Sequence, residues 1–543
     1  MNLFSARFLS LVLCAVLLVM LSAAPAAAQE APADTAAAAA PASTDKSMAA
    51  RIDEFLQPFN EWWKTTINPP LDAVLFYPVM KTDELYRGDP EKKVKLPLVV
   101  VTLLVGGVFF TLRYGFVNLR MFKHGFHLVM GKYDKSDDPG EVSHFQALSS
   151  ALAGTVGLGN IAGVAVAISL GGPGAVFWML FTAFFGMSMK CSEVILAHAY
   201  RRVDPNGRVL GGPMVYLYEG IKEVAPGLAP AGRVMAVVYA LFVVPAAFAS
   251  GNMFQANQAI SLFSATFFAN SGNELFWKLV LGIFMATLTG IVLIGGVRRI
   301  GEVASRLVPF MCIFFSGISL TLLFMNYELI PEILVSIFTG AFDAEAMFGG
   351  FIGVLVQGTR RAAFSNEAGL GSAAIVHSAA RTTEPVREGL VALLEPFIDT
   401  IVMCTMTAIA ILATGVHLTT QYDDIRIARE AFAQLGWFAD YGLSISVFTF
   451  AWATMLGWGY YGERGTEYLL GVRAITPYRI LYCLVICIAP LLSLGAVIDF
   501  ADMLLLSLAF PNILGMVILS GKVKRMLDDY IRRFRAGEMQ MTK

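Results

Sequence analysis

The chain has 543 residues, of which 56% are hydrophobic and only 15% are charged, and its mean hydropathy is +0.64. Soluble domains carry about 25% charged residues, so this composition excludes a soluble globular protein. Its formal net charge of −1 provides no basic excess for binding nucleic acid. Because a helix needs only about 20 apolar residues to cross a bilayer, the long charge-free runs predict an all-α polytopic membrane protein.

Three segments are predicted to precede the membrane domain. Residues 1–28 combine a positive charge, an apolar run and an Ala-x-Ala sequence, which indicates a secretory signal peptide; an uncleaved membrane helix is the alternative. Residues 29–50 are mostly Ala and Pro, with too little bulk to form a core, and predict a disordered tail. Residues 51–94 contain Phe and Trp near a lysine, which is typical of a periplasmic segment lying at the membrane interface.

Eleven membrane spans are predicted from the apolar runs. Lys and Arg concentrate in every second loop, starting with the loop after the first span. This bias places that loop and the basic tail 522–543 in the cytoplasm, near anionic lipid, and the N-terminus outside. The expected location is therefore a bacterial inner membrane. The predicted spans are 95–113, 145–170, 174–199, 234–262, 277–297, 304–326, 330–359, 388–414, 441–462, 477–495 and 499–521.

Two of these spans are not expected to be continuous helices. Span 145–170 has three glycines and Asn160 at mid-depth, which are poor helix formers. Span 330–359 is too long for one crossing and contains two further glycine-rich interruptions. Unwound backbone survives in lipid only where it lines a cavity, and breaks placed alike in two halves, 145–326 and 330–521, are typical of an inverted-repeat transporter. Close helix packing through small residues is the alternative.

Four motifs resemble those of the alanine/glycine:cation symporter family, in the amino acid–polyamine–organocation superfamily. They are Gly154-Thr155-Val156-Gly157-Leu158-Gly159-Asn160-Ile161-Ala162-Gly163-Val164, Gly211-Gly212-Pro213-Met214, Ser365-Asn366-Glu367-Ala368-Gly369-Leu370-Gly371-Ser372 and Gly457-Trp458-Gly459-Tyr460-Tyr461-Gly462-Glu463. The similarity extends over roughly residues 95–520. It implies a leucine-transporter-like fold of five plus five inverted helices behind one extra N-terminal span. It also implies uptake of alanine or glycine driven by sodium or protons, and leaves the oligomeric state open.

The first break is expected to bind both substrate and cation. Its second half-helix begins near Asn160 and directs the positive end of its dipole at a carboxylate. Carbonyl groups that end the first half, at Ala153 and Val156, are expected to bind the cation. Glycine lets the substrate approach the backbone, and Asn160 adds a donor and an acceptor, with a helix-capping role as the alternative. The predicted substrate-binding residues of this break are Thr155, Gly157, Gly159 and Asn160.

Two other spans are expected to close the pocket. Thr454 and Trp458 lie four residues apart on one helix face, where the hydroxyl suits a cation or an ammonium group and the ring limits substrate size. The family pattern points to the same pair. An interfacial position is the alternative for Trp458. Asn252 and Gln255, three apart, are assigned to the pocket too, with polar contacts between helices as the alternative.

Two carboxylates stand out in the otherwise apolar helix 390–412. Glu395 and Asp399 are four residues apart, and an intramembrane carboxylate is a functional candidate. They are assigned to cation coupling, with structural contacts as the alternative. Lys190 and Glu193, near the predicted cytoplasmic end of a span, are expected to form only an ion pair.

The motif beginning at Ser365 echoes the first break but is assigned a different place. Arg360 and Arg361 precede it closely, and two arginines at the bilayer centre would be costly. Asn366 and Glu367 are therefore predicted to form an inner gate at the cytoplasmic face. The alternative places the arginines in an aqueous vestibule.

These features predict a secondary active symporter that imports alanine or glycine with sodium by alternating access. A proton-coupled transporter of another small zwitterion is the alternative. A channel is less favoured, because the polar residues cluster locally instead of lining a continuous pore. Motifs for hydrolysis, metal binding or nucleotide binding are absent from the sequence, so no catalytic residue, metal site or cofactor is predicted beyond the co-transported sodium ion.

Overall fold

The computed structural model describes residues 68–81, 95–134, 138–205, 207–268, 273–343, 350–419, 422, 425–492, 494–539 and 541–542. The predicted signal peptide, the Ala/Pro-rich tail and most of segment 51–94 lie outside these residues. Within them the protein is almost entirely helical, with two short antiparallel ribbons, β1 with β2 and β3 with β4.

The elements are defined as follows, in chain order. They are α1 Asn68–Leu75, β1 Pro78–Lys81, β2 Lys95–Pro97, α2 Leu98–Arg113, α3 Val117–Arg120, α4 Phe122–Val129, α5 His144–Thr155, α6 Ala162–Gly171, α7 Gly174–Ala199, β3 Arg202–Val203, β4 Val209–Leu210, α8 Pro213–Val224, α9 Ala229–Phe248, α10 Phe254–Phe267, α11 Glu274–Ile294, α12 Gly296–Met325, α13 Ile330–Gly340, α14 Gly350–Asn366, α15 Ser372–His377, α16 Pro385–Ala392, α17 Leu394–Pro396, α18 Thr405–Thr414, α19 Ile425–Ala433, α20 Trp437–Leu470, α21 Ile475–Ile488, α22 Leu494–Ser507 and α23 Ala509–Arg535. Two π-helical segments, Ala249–Met253 and Phe397–Cys404, join α9 to α10 and α17 to α18.

The predicted multi-pass membrane class is confirmed. Among the described residues, seven helical stretches are long and apolar enough to cross a membrane, and α5 with α6 forms an eighth, broken span. The extra N-terminal span predicted over 95–113 corresponds to α2, a shorter apolar helix of 16 residues. The count of eleven spans stays a prediction.

The first predicted break is present. Ser143 begins α5 with a capping box, in which its hydroxyl accepts from the amide N–H of Gln146 at 3.2 Å and its own N–H donates to the Gln146 side chain at 3.0 Å. The helix then stops at Thr155, a short 3-10 turn covers Leu158–Asn160, and the chain resumes as α6 at an angle of 62°. The glycines and asparagine of this stretch are weak helix formers, so the break predicted from the sequence is confirmed.

The predicted interruption of span 330–359 is present, because α13 ends at Gly340 and α14 begins at Gly350, so the segment contains two separate helices. The break that lies against the first one is instead at residues 367–371. The backbone leaves α14 at Glu367, where φ is +56°, and Gly371 begins α15 at φ +77°. Side chains with a Cβ disfavour this left-handed conformation, so the turn ends one helix before the other starts. α14 and α15 are thus the second discontinuous helix.

The two breaks lie against each other in the protein interior. A Cβ added at Gly159 would lie 3.1 Å from the Cα of Ser365. Asn366 and Glu367 are buried, with 0% and 2% of their surface exposed. The prediction that these two residues lie at the cytoplasmic face is therefore wrong, because they lie beside the first break.

The arginines that led to that prediction have a buried partner. Arg360 and Arg361 in α14 both bond the carboxylate of Asp502 in α22, the former at 3.0 Å. An opposite charge lowers the cost of keeping arginine away from bulk water. Asp502 is 141 residues from Arg361 in the chain, so the sequence around the motif did not reveal it.

Arg360 and Arg361 also lie at the opposite end of α7 from Arg381, although the alternating bias of Lys and Arg had assigned all three to the cytoplasmic side. A Cβ at Gly358 would lie 2.4 Å from the carbonyl oxygen of Ala175, at the start of α7. Arg201, which follows the other end of α7, donates to the carbonyl oxygen of Ala380 at 2.6 Å. The orientation inferred from Lys and Arg therefore depends on the other basic loops and not on Arg360 and Arg361.

Backbone contact between α5 and α20 supports the first break. A Cβ at Gly457 would lie 2.7 Å from the Cα of Gly154. Small residues at such crossings let helices approach closely and gain dispersion contacts in a membrane. The long helix α20 is therefore fixed directly against the helix end that precedes the break.

We expect Gly457→Ala to lower the thermal unfolding temperature of the purified protein, because the added methyl group would force α20 away from α5. Overpacking of this kind costs about 1–3 kcal/mol. Gly163→Ala is the matched control, since a Cβ there would meet nothing within 4 Å. A Gly457→Ala variant that unfolds at the wild-type temperature would show that the two backbones are not in contact.

Candidate functional site

The predicted pocket residues Gly157, Gln255 and Thr454 come together at the first break. A Cβ added at Gly157 would lie 2.3 Å from the hydroxyl oxygen of Thr454 and 3.3 Å from Oε1 of Gln255. Thr454 and Gln255 are each 3% exposed. The absence of a side chain at position 157 therefore makes room for groups contributed by α10 and α20. Thr155 is also buried, with its hydroxyl donating to the carbonyl oxygen of Ala151 at 3.3 Å.

The break releases carbonyl oxygens at the end of α5. In a continued helix the N–H of Gly157 would bond the carbonyl of Ala153, and that of Asn160 would bond the carbonyl of Val156. Instead the Gly157 N–H donates to Oδ1 of Asn160 at 2.9 Å, and the Asn160 N–H donates to the carbonyl of Gly157 at 3.1 Å. The carbonyls of Ala153 and Val156 are left without their helical donors at the negative end of the α5 dipole, which suits a cation.

Asn160 links the first break to the π-helical segment Phe397–Cys404. Its Nδ2 donates to the carboxylate Oδ1 of Asp399 at 2.7 Å and to the Asp399 carbonyl at 2.9 Å. Both ends of the amide are therefore used within the protein. Asn160 fixes the break in the way that the capping alternative anticipated, and it brings Asp399 next to it.

The carboxylate of Asp399 lies where the two breaks meet. Its Oδ2 accepts hydrogen bonds from the hydroxyls of Ser365 at 2.6 Å and Thr400 at 2.7 Å, and Nδ2 of Asn366 donates to the Thr400 hydroxyl at 3.0 Å. Asp399 is fully buried. In the described part of the chain, it forms no ion pair with Lys, Arg or His. A buried carboxylate held by neutral donors alone carries an uncompensated charge, which a bound cation would neutralise.

The indole of Trp458 is anchored at the second break. Its Nε1 donates to Oε1 of Glu367 at 2.8 Å, and the other oxygen of Glu367 accepts from the hydroxyl of Ser372. Trp458 is 1% exposed, so the alternative of an interfacial tryptophan is wrong. Its ring atoms pack directly on Gly251, where a Cβ would lie 2.1 Å from the Cβ of Trp458. The contact between Trp458 and Glu367 was not predicted, because the motif beginning at Ser365 was assigned to the cytoplasmic face.

Asn252 contacts a neighbouring helix. Its Nδ2 donates to the carbonyl oxygen of Tyr482 in α21 at 2.8 Å. The π-helical segment Ala249–Met253 changes the register between Asn252 and Gln255, so a spacing of three no longer puts the two side chains on one face. Asn252 forms the polar contact between helices that was its alternative role.

Glu395 and Asp399 belong to different groups of side chains. Oε1 of Glu395 lies 2.5 Å from Nε2 of His377, and its Oε2 lies 3.3 Å from Nζ of Lys190. The π-helical segment begins at Phe397, between the two carboxylates, and separates their faces. Lys190 and Glu193, 3.7 Å apart and fully buried, join the Glu395 group. The expectation that Lys190 and Glu193 form only an ion pair is therefore wrong.

One signal in the sequence pointed to the second break. Gly369-Leu370-Gly371-Ser372 repeats the pattern of Gly157-Leu158-Gly159-Asn160, and both stretches unwind in the structure. The hydroxyl of Ser365 and the carboxylate of Asp399 come from segments 34 residues apart, and only the fold brings them together.

Comparison with solved structures finds similarity to MhsT in complex with L-phenylalanine. The TM-score is 0.44 with 15% sequence identity, covering 70% of this chain and 98% of that one.

Comparison with known sequences gives much stronger similarity. The chain is 41% identical over 431 residues to the sodium/alanine symporter AgcS of Methanococcus maripaludis, covering 79% of this chain and 92% of the relative. It is 32% identical over 444 residues to the probable sodium/glutamine symporter GlnT of Bacillus subtilis, covering 81% of this chain and 89% of the relative. The model of the sodium:alanine symporter family matches residues 88–543. The predicted class, a sodium-coupled amino acid symporter and not an enzyme, is thereby confirmed, and this chain belongs to the sodium:alanine symporter family.

Proposed function

We propose that the chain imports alanine with sodium by alternating access, using a site formed where its two helix breaks meet. The observation that carries this proposal is the buried Asp399 carboxylate, which is held by Asn160, Ser365 and Thr400 at the contact between the breaks. A cation bound there would neutralise the carboxylate and join the two discontinuous helices. Among the named relatives, the one at 41% identity is described as a sodium/alanine symporter, and this supports both substrates.

The proposed sodium ligands are oxygen atoms. Asp399, Ser365 and Thr400 supply a carboxylate and two hydroxyls within hydrogen-bonding distance of one another. Oxygen ligands of this kind suit hard cations. The carbonyls of Ala153 and Val156 and the hydroxyl of Thr454 are a second candidate set on the other side of the first break. We propose that sodium occupies the Asp399 set, because its carboxylate is otherwise uncompensated.

The proposed substrate site is small. Gly157, Gln255 and Thr454 approach closely, so little space is left beside the first break for a large side chain. The N–H groups that begin α6 point the positive end of its dipole toward the first break, which favours the substrate carboxylate. Trp458, held by Glu367, would close the pocket over the side chain. Alanine and glycine fit these limits better than larger amino acids.

Antiparallel placement of the two discontinuous helices supports an inverted repeat. A Cβ at Gly171, the last residue of α6, would lie 3.6 Å from the Cα of Val354 near the start of α14. The end of the first discontinuous helix therefore lies beside the beginning of the second. We propose that halves 145–326 and 330–521 are the five-plus-five repeats of a leucine-transporter-like fold behind α2, and that Asn366 and Glu367 act in gating at the second break.

We also propose a bacterial inner-membrane location with the N-terminus outside and the C-terminus in the cytoplasm. Basic residues still concentrate at the end of α7 marked by Arg201 and in the last turn of α23. Lys and Arg favour the cytoplasmic side. The Arg360 and Arg361 pair does not count in this bias, since both guanidinium groups pair with Asp502 of α22.

Uptake of labelled alanine into proteoliposomes tests the proposed function. We expect an inward sodium gradient to drive accumulation, and an inward proton gradient without sodium to drive none. Labelled glycine and glutamine, measured in parallel, test the size limit, and we expect glycine to be accepted and glutamine to be rejected. Alanine accumulation that is the same with and without sodium would contradict the proposal.

We expect Asp399→Asn to weaken the apparent affinity for sodium by at least about tenfold, which corresponds to about 1.4 kcal/mol. The reason is that the amide cannot supply the negative charge that the cation would neutralise. Asp440→Asn is the matched control, because Asp440 pairs with Arg429 at 2.8 Å far from the breaks. Equal sodium dependence in Asp399→Asn and the wild type would place the cation elsewhere.

Gly157→Ala is expected to abolish alanine binding, since the methyl group would occupy the position of the Thr454 hydroxyl. In the double variant Gly157→Ala with Thr454→Ala, removal of that hydroxyl relieves the clash, and we expect part of the thermal stability lost in the single variant to return. Neighbouring residues in contact typically couple by about 0.5–3 kcal/mol. Strictly additive losses in unfolding temperature would show that the two positions do not touch.

A further inference from the structure

A second group of buried ionisable side chains lies at the end of α15, whereas the second break lies at its beginning. At its centre, Nδ1 of His377 lies 2.5 Å from Oε1 of Glu388, and Nε2 lies 2.5 Å from Oε1 of Glu395. All three side chains are fully buried. The proposed function uses none of them.

The geometry around His377 indicates how many protons its imidazole ring carries. A neutral imidazole has one donor nitrogen and one acceptor nitrogen. Between two carboxylates, its acceptor nitrogen would face a second acceptor at 2.5 Å, which is repulsive. With a proton on each nitrogen, His377 donates to both Glu388 and Glu395, and both contacts become charge-assisted hydrogen bonds. This conformation therefore holds an additional proton at His377.

The group extends from His377 toward solvent. The second oxygen of Glu388 bonds Nδ1 of His144, the first residue of α5. Nε2 of His144 lies 3.7 Å from Oδ1 of Asp134, whose side chain is 40% exposed. Glu388, His144 and Asp134 thus lie in sequence between His377 and the water around Asp134, and the last pair is too far apart for a direct hydrogen bond.

In the other direction the group reaches the second break. Nζ of Lys190 lies 3.3 Å from Oε2 of Glu395 and 3.7 Å from Oε1 of Glu193. Among the described residues, those two carboxylate oxygens accept no hydrogen bond, so the group retains capacity to receive a relocated proton. Oε2 of Glu193 accepts from the N–H of Gly371 at 3.1 Å, immediately before α15.

The net charge of the group favours proton binding. With neutral histidines, the buried ion-pair network contains one cation, Lys190, and three carboxylates, those of Glu193, Glu388 and Glu395, so its formal charge is 1 − 3 = −2. A proton on each of His144 and His377 makes the network neutral, which lowers the cost of burial.

The surroundings of His377 and its carboxylates include further titratable or charged groups from every neighbouring element. They are Lys190, Glu193 and His198 of α7, Arg201 after α7, His144 of α5, Asp134 before α5, Glu367 before α15, Arg387 and Glu388 of α16, Glu395 of α17, and the phenols Tyr216 of α8, Tyr239 of α9 and Tyr461 of α20.

A single short helix joins this group to the candidate transport site. α15 is a helix of six residues that begins at Ser372, whose hydroxyl bonds Glu367, and ends at His377. Glu388 and Glu395 belong to the separate elements α16 and α17. Movement of α15 about the second break would therefore change the distance of His377 from both carboxylates.

We propose that His377, held between Glu388 and Glu395, is a proton-binding site whose occupancy changes with the position of α15. When α15 withdraws, the proton on Nδ1 of His377 passes to Oε1 of Glu388, which becomes a neutral carboxylic acid. His144, whose Nδ1 proton faced the charge of Glu388, then releases its Nε2 proton to water beside Asp134. His377 and His144 have each lost one proton and Glu388 has gained one, so the group as a whole releases one. This proposal rests on the chain being an alternating-access transporter, and it is independent of the choice of sodium or alanine.

The pH dependence of transport tests this site. Sodium-driven alanine uptake is measured in proteoliposomes while the pH on the Asp134 side is varied and the opposite pH is held constant. We expect a single titration step in the wild type, which His377→Gln and Glu388→Gln remove. His198→Gln is the matched control, because His198 is a buried histidine whose Nε2 lies 3.3 Å from a backbone oxygen, that of Ala380, instead of a carboxylate. The His198→Gln variant should keep the titration step of the wild type. The same step in His377→Gln would overturn the proposal.

A measurement on the wild type keeps the test valid even if a variant fails to fold. Calorimetric titration of the sodium-loaded protein with alanine is repeated in buffers of different ionisation enthalpy. We expect the heat to depend on the buffer, because binding moves α15 and shifts the proton equilibrium at His377. Heat that is identical in every buffer would overturn the proton site, whereas the absence of any sodium-dependent heat would instead contradict the proposed function.

Discussion

The bond between Asn160 and Asp399 is the interaction on which the proposed transport site depends. It fixes the end of the first discontinuous helix against the π-helical segment after α17, and it holds a carboxylate beside the second break. Ser365 and Thr400 complete the hydrogen bonding of that carboxylate without neutralising it. A buried charge without an opposite charge nearby is costly, so a cation that binds there gains the free energy of neutralisation. Such a cation would also couple the two breaks.

Asp399 and Glu395 are only four residues apart in the chain, but their carboxylates lie in different surroundings. Asp399 lies among hydroxyls and an amide, which suits a metal cation, whereas Glu395 lies against His377 and Lys190, which suits protons. The π-helical segment that starts at Phe397 turns the two carboxylates to different surroundings. α15 then connects the surroundings mechanically, because the second break lies at its beginning and His377 at its end.

Local signals in the sequence predicted the helical membrane class, the first break and the approach of Gly157 to Thr454. Each depends on nearby residues, such as the glycines that weaken the helix around Asn160. The second break was misplaced because the cost assigned to Arg360 and Arg361 depends on a partner, Asp502, that only the fold brings near. Spacing arguments failed for similar reasons at Asn252 and at Glu395, where π-helical segments change the register between side chains.

The position of the bound cation tests the central claim most directly. Thallium is an electron-rich substitute for a monovalent cation, and anomalous scattering from crystals grown with alanine and thallium would locate it. We expect one strong peak within coordination distance of the Asp399 carboxylate and the hydroxyls of Ser365 and Thr400. A peak confined to the carbonyls of Ala153 and Val156, with none at Asp399, would contradict the claim that the meeting of the two breaks forms the cation site.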